Sequence, residues 1–328
     1  MTSAKHGQAA VGLPRASRMR YTITRAVFGL RGDIEITEQE FLATKRAKDN
    51  LVLVATVEEK FDVLLENYLE YEQSLLAAAL TQLVHPIRER DDFMADRRTI
   101  TRRLVNLLTA ARAYVDQVNH DLCAIDGESA VTRQTLDNAR SLEYDRSPAY
   151  RAMTEIRKHV QHRSMFLGVV GFPSNWVEES PENPIGKLRF RVVPTLDVRQ
   201  IEADAKCKAS VLSELKAKAA EAKADGDEIP LTPLVREYVE SLARAHESLR
   251  KTLADDVKRW EAQLESIEAQ ARSALEGPMV GLAVVAANED TRQILYLARE
   301  DIVNYRRSLV SQNRIFEKLS RRYVSGEQ

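Results

Sequence analysis

The chain has 328 residues, 30% of them charged, yet a net charge of −1, and it contains only 12 glycines and 10 prolines. That composition points to an all-helical protein of one or two large domains. Near-zero net charge excludes a molecule that is basic all over, so any contact with nucleic acid has to come from local patches. Cys123 and Cys207 stand in unrelated segments without metal-ligand spacing and read as reduced thiols of a cytoplasmic protein. Met1–Arg20 lacks the apolar core of a signal peptide, and the longest apolar run, Met279–Ala287, is too short to span a membrane.

Residues 1–40 read as a tail followed by a small β element. Met1–Arg18 carries Gly, Pro, Ser and Ala, and Tyr21–Ile36 groups β-type residues around Gly29 and Gly32 as a hairpin or a strand and turn. Thr37, with Glu40 three positions later, forms a capping box for the first helix. Phe61, Leu64, Leu65, Tyr68, Leu69, Leu75, Leu76, Ala79, Leu80 and Leu83 supply its apolar stripe, and Pro86 ends it. A second helix restarts near Asp91, is striped by Ile100, Leu104, Leu107, Leu108, Ala111, Val115, Val118 and Leu122, and closes at Gly127. The two read as an antiparallel pair. Arg98 and Arg102, one turn apart on the second helix, are candidate contacts to an RNA backbone. Asp91, Asp92 and Asp96 offset them, so the same face also reads as simply solvated. A short helix is expected over Val131–Tyr144, and Ser147 as N-cap with Pro148 at the first helical position starts another that runs to about Arg163.

That last helix holds the candidate chemistry. Between Arg146 and Arg163 five basic residues face one acid, Glu155. Arg157 has the planar, permanently charged fork that suits a phosphate. His162 has a side chain whose proton affinity suits acid–base work near neutral pH. On a straight helix the two are about 7.5 Å apart in rise and about 140° apart in direction, so they share no single face. The alternative is that Glu155, Arg157, Lys158 and Arg163 form a solvated face, with His162 serving the last carbonyls.

The spacing Arg157-x4-His162, with Lys158 after the arginine and Gln161 before the histidine, resembles the R-x4-6-H motif of the HEPN family (higher eukaryotes and prokaryotes nucleotide-binding). The resemblance covers about 130 residues around the motif. It implies an antiparallel helical bundle over residues 41–170 and a metal-independent endoribonuclease that uses no cofactor. In that reading Arg157 stabilises the phosphate, His162 is the general acid or base, and Lys158 supports the charge; the local excess of basic residues makes Arg151 and Arg163 candidate contacts to RNA. The family works as homodimers with two Arg/His pairs facing each other. Its members include toxins and antiphage effectors, some restrained by a partner protein. Some of these toxins carry a tyrosine that a partner modifies, where this chain has Ser164; control by that route is not implied.

Residues 171–197 read as an irregular connector, broken by Phe172-Pro173, Pro181, Pro184 and Gly186, with strand-like alternation over Leu188–Val193. Residues 198–328 read as a coiled-coil-like antiparallel hairpin and a last helix. The hairpin arms are Val198–Ala224 and Pro230–Leu275, the second with Leu249, Leu253, Val257, Trp260, Leu264, Ile267 and Ala271 in heptad spacing. Asn288 is expected to cap a final helix reaching about Tyr323. No glycine-rich phosphate loop and no metal-ligand cluster stands out. The expected fold is therefore all-α, with a small β excursion. A second functional reading is a helical protein in which the hairpin is the working part, or one that binds RNA without cutting it.

Overall fold

The computed structural model describes residues 18–25, 32–125, 129–162, 167–177, 186–203, 207–221, 228–297, 299–314 and 319–322. The chain divides into two compact units, Met1–Leu51 with Lys258–Ile302, and Val52–Val257 with Val303–Gln328. Most of it is helical, as composition dictates.

The first unit is built on a four-stranded antiparallel sheet. Strands β1 (Arg20–Arg25) and β2 (Asp33–Glu35) join β8 (Leu282–Ala287) and β9 (Arg292–Tyr296) in the order β2-β1-β8-β9. Ile23 lies opposite Val284, and both are fully buried. Here the structure corrects the expected last helix from Asn288. The Asn288 side chain accepts hydrogen bonds from the backbone N–H groups of Asp290 (3.0 Å) and Thr291 (2.6 Å). It thus closes a turn between two strands rather than starting a helix. Leu282–Val285, buried without alternation, has the continuous apolar pattern of a central strand. Only Arg299–Gln312, helix α8, remains of that expectation, followed by a 3-10 turn at Leu319–Arg321.

Helix α1 (Glu38–Val84) opens with the expected capping box: Thr37 N–H donates to Glu40 (2.8 Å), and Glu40 N–H donates to the Thr37 hydroxyl (3.1 Å). It stops two residues before Pro86. Helix α2 (Arg90–Ala124) returns from it, and α3 (Ser129–Arg146) and α4 (Pro148–His162) follow. In the second unit Phe61, Leu64 and Tyr71 of α1 meet Leu104, Leu107, Leu108, Tyr114 and Leu122 of α2 in the most deeply buried set of side chains. Four members of the predicted α1 stripe do not join this core. Leu69, Leu76, Leu80 and Leu83 are 47%, 45%, 52% and 53% exposed.

Helix α7 (Leu231–Ala274) buries its whole heptad seam, from Leu249 to Ala271. Its polar ties go to α1. Arg236 grips Glu72 with two 2.7 Å bonds and Arg250 grips Glu58 within the second unit, and Gln263 reaches Thr44 (3.3 Å) within the first. The arm expected over 198–224 is two helices, α5 (Val198–Glu202) and α6 (Ala209–Glu221). Length explains the choice of α1. A 13-residue helix covers less than half of a 44-residue one, whereas α1 has 47 residues. Helix α6 packs on α4 and on β7 (Glu228–Pro230), which belongs to a three-stranded sheet with β3 (Leu167–Gly171) and β6 (Val193–Asp197). The connector adds a two-stranded hairpin, β4 (Ser174–Val177) with β5 (Lys187–Phe190). Among the described residues no helix is long and apolar enough to cross a membrane.

Candidate functional site

Helix α4 is fixed at its start by Ser147. The Ser147 hydroxyl accepts from Tyr150 N–H (3.0 Å) and donates to Glu237 of α7 (2.6 Å). The helix then runs with nearly every side covered: Ala152, Met153, Glu155, Ile156, Arg157 and His159 are buried, and Lys158 is exposed. The solvated-face alternative is therefore incorrect for Glu155 and Arg157. Lys158 forms an ion pair with Glu155 at 2.8 Å.

Arg157 is 8% exposed, and among the described residues no acceptor or carboxylate lies within bonding distance of its guanidinium. Burial pushes its pKa down. Tyr238 opposes that, Arg112 adds to it, and Asp116 and Tyr150 oppose it more weakly. Arg112 and Asp116 are paired with each other on α2, and the Tyr150 and Tyr238 rings stand 5.3 Å apart. An arginine keeps its charge under such pressure. Arg157 thus stands near two tyrosines, and among the described residues it is not half of an ion pair.

The other sequence candidates fall in different places. His162 is the last residue of α4, and its side chain, like Arg163, lies outside the described residues. Arg151 forms a double bond to Glu214 of α6 (3.2 and 2.8 Å) and donates to the carbonyls of Tyr144 (2.6 Å) and Asp145 (2.8 Å). It ties α3, α4 and α6 together. Arg98 and Arg102 are exposed on α2. They stand about 15–20 Å along that helix from Arg112, and so away from Arg157.

A second cluster was not singled out from the sequence. His246 Nδ1 lies 2.8 Å from the Tyr114 hydroxyl, and its Nε2 lies 3.1 Å from Glu58. Arg250 donates to both Glu58 oxygens (2.6–3.2 Å) and to the Asn313 carbonyl (2.9 Å). Phe61 stacks on the imidazole at 4.0 Å. A carboxylate that accepts from Nε2–H leaves Nδ1 to accept from the Tyr114 hydroxyl, which assigns a neutral imidazole with its proton on Nε2. Burial lowers the His246 pKa, and Glu58 counters that only in part. Burial raises the pKa of Glu58, but its bonds to His246 and Arg250 outweigh that and bring it to about 2. Glu58, His246 and Tyr114 are each 2% exposed or less. The cluster is closed to substrate, so its work is structural. Its members are spread over α1, α2 and α7, and no local spacing marks them.

Among the described residues no group of three or more His, Cys, Asp or Glu side chains could hold a metal ion. No protein-family model, curated protein or solved structure matches the chain significantly.

Proposed function

We propose that the second unit binds the phosphodiester backbone of RNA at the C-terminal part of α4 and acts as an endoribonuclease of the HEPN type. The observation that carries this reading is Arg157, a residue only 8% exposed whose guanidinium has no anionic or hydrogen-bonding partner among the described residues. A fork of that kind suits the developing charge on a phosphorane-like transition state. His162, five residues on, supplies the proton transfer. The ribose 2'-hydroxyl attacks phosphorus, the bond to the 5'-oxygen breaks, and the products carry a 2',3'-cyclic phosphate and a free 5'-hydroxyl. Lys158, the exposed cation of the motif, steers the strand. A role as a toxin or antiphage effector, held in check by a partner protein, follows from the same reading.

The second reading is a non-catalytic helical interaction protein. It is favoured by the exposed apolar face of α1 and by the engagement of Arg151 with Glu214. Incubation of a labelled structured RNA with the protein in EDTA, beside Arg157→Ala and His162→Ala, separates the two. Cyclic-phosphate ends that disappear in both variants support the nuclease. An uncut RNA that the folded wild type also fails to retain supports the second reading.

A further inference from the structure

Between Glu72 and Arg88 the chain carries no acidic residue, lysine or arginine. Over this stretch α1 turns an apolar face outward. Leu69, Leu76, Leu80 and Leu83 are about half exposed, Val84 is 66% exposed, and Ile87 in the following turn is 96% exposed. With the exposed Gln73, their spacing alternates four and three, which is a coiled-coil seam, and Ala77 and Ala79 flank its middle. The opposite side of the same helix already serves the core through Tyr71, Leu75 and Ala78. The outer face is therefore a second seam.

We infer that this face of α1 seats the same face of a second copy of the chain, antiparallel, about a twofold axis midway between Leu76 and Leu80. Three observations select this occupant. The face presents on the order of 500 Å² of apolar surface, the upper end for a monomer. Two such faces with their margins reach the ~1,200 Å² at which specific interfaces begin. The seam carries no charge, so pairing with itself brings no like charges together and desolvates no ion. A charged partner helix would find nothing to pair with. The spacing is its own mirror under the twofold: Leu76 meets Leu80 of the other copy, and Gln73 meets Leu83. A parallel arrangement would set the exposed Glu66 at the seam's lower end against itself. None of these residues belongs to α4, so the inference stands apart from the nuclease reading.

Equilibrium sedimentation of the full chain up to about 100 µM tests it. The wild type sediments as a dimer. Leu76→Asp with Leu80→Asp weakens association by more than about 100-fold while the helical circular dichroism is unchanged, because both side chains are already half in water. Val280→Asp, an equally exposed apolar site in the first unit, leaves the dimer intact. A wild-type monomer across this range, or a dimer that survives both aspartates, overturns the inference. In a background lacking Cys123 and Cys207, a mixture of Gln73→Cys and Leu83→Cys chains cross-links more than either alone. Preferential self-cross-linking of each variant would overturn the antiparallel arrangement.

Discussion

Glu58 and His246 lie 188 positions apart in the chain and 3.1 Å apart in the folded protein, at the closed centre of the second unit. The pair is held by Arg250 on one side and Tyr114 on the other. It joins α7 to α1 at the level where α2 packs over both. Such a network specifies one alignment of long helices that could otherwise slide by a heptad.

The pair makes the fold acid-sensitive in two steps. His246 has a lowered pKa in the folded protein, so the unfolded chain binds the proton first. Its contribution is complete above the ordinary histidine value of about 6.5 and is lost as pH falls below it. Glu58, brought to about 2, contributes fully above the ordinary carboxylate value of about 4.3 and loses that contribution on the way down to about 2. The Glu58 step is on the order of 3 kcal/mol. Thermal melts should be flat from pH 8 to 7, decline below about 6.5, and decline further below about 4.5. In His246→Gln the first decline should vanish, and the second should remain.

Removal of one charge from this cluster should cost more than removal of both. Glu58→Ala leaves the Arg250 guanidinium without its carboxylate and should destabilise by about 3–5 kcal/mol. The double variant Glu58→Leu with Arg250→Met should lose less than the sum of the Glu58→Leu and Arg250→Met single variants, with a coupling of about 1–3 kcal/mol. Urea unfolding of the four proteins gives that coupling directly. A purely additive result would show that the cluster is not a unit.

The ends of the early helices were legible because they are local. Thr37 with Glu40, Pro86, and Ser147-Pro148 act within one turn of themselves, and each does in the structure what its spacing implies. Asn288 misled because the same side chain that caps a helix also closes a hairpin. What decided between them was the pairing of β8 with β1, some 260 residues earlier. Periodicity named the leucines of α1 but could not say which of two stripes faces inward, since both Leu75 and Leu76 sit at helical spacings. The burial of Arg157 was illegible for a related reason. Glu155, Arg157 and Lys158 read as a polar face, and only the packing of neighbouring elements around α4 turns two of the three inward. His246 offered no signal of its own, because its partners lie on other helices.

Arg151 separates scaffold from site. Its two hydrogen bonds to Glu214 and its contact with the Tyr144 carbonyl are part-buried, and its contact with the Asp145 carbonyl is exposed. Arg151→Ala should lower stability by about 1–3 kcal/mol, and Glu214→Ala should do nearly the same. Neither should change the salt dependence of RNA binding. If Arg151→Ala instead flattens that dependence by about one phosphate contact and leaves the melt unchanged, Arg151 contacts RNA.

Arg157 should show the opposite balance of stability and binding. An unpaired buried cation costs the fold energy, so Arg157→Met, which keeps the stem and removes the charge, should raise stability by about 1–2 kcal/mol. The wild type should gain stability as inorganic phosphate is added at constant ionic strength, because an anion that binds only the folded state stabilises it by mass action. The Met variant should not respond. Arg157→Lys should respond weakly, since a point charge cannot make two parallel bonds. A Met variant that melts lower than wild type, with the phosphate response intact, would show that the guanidinium is held by the protein itself. The anion site would then have to be sought elsewhere than on α4.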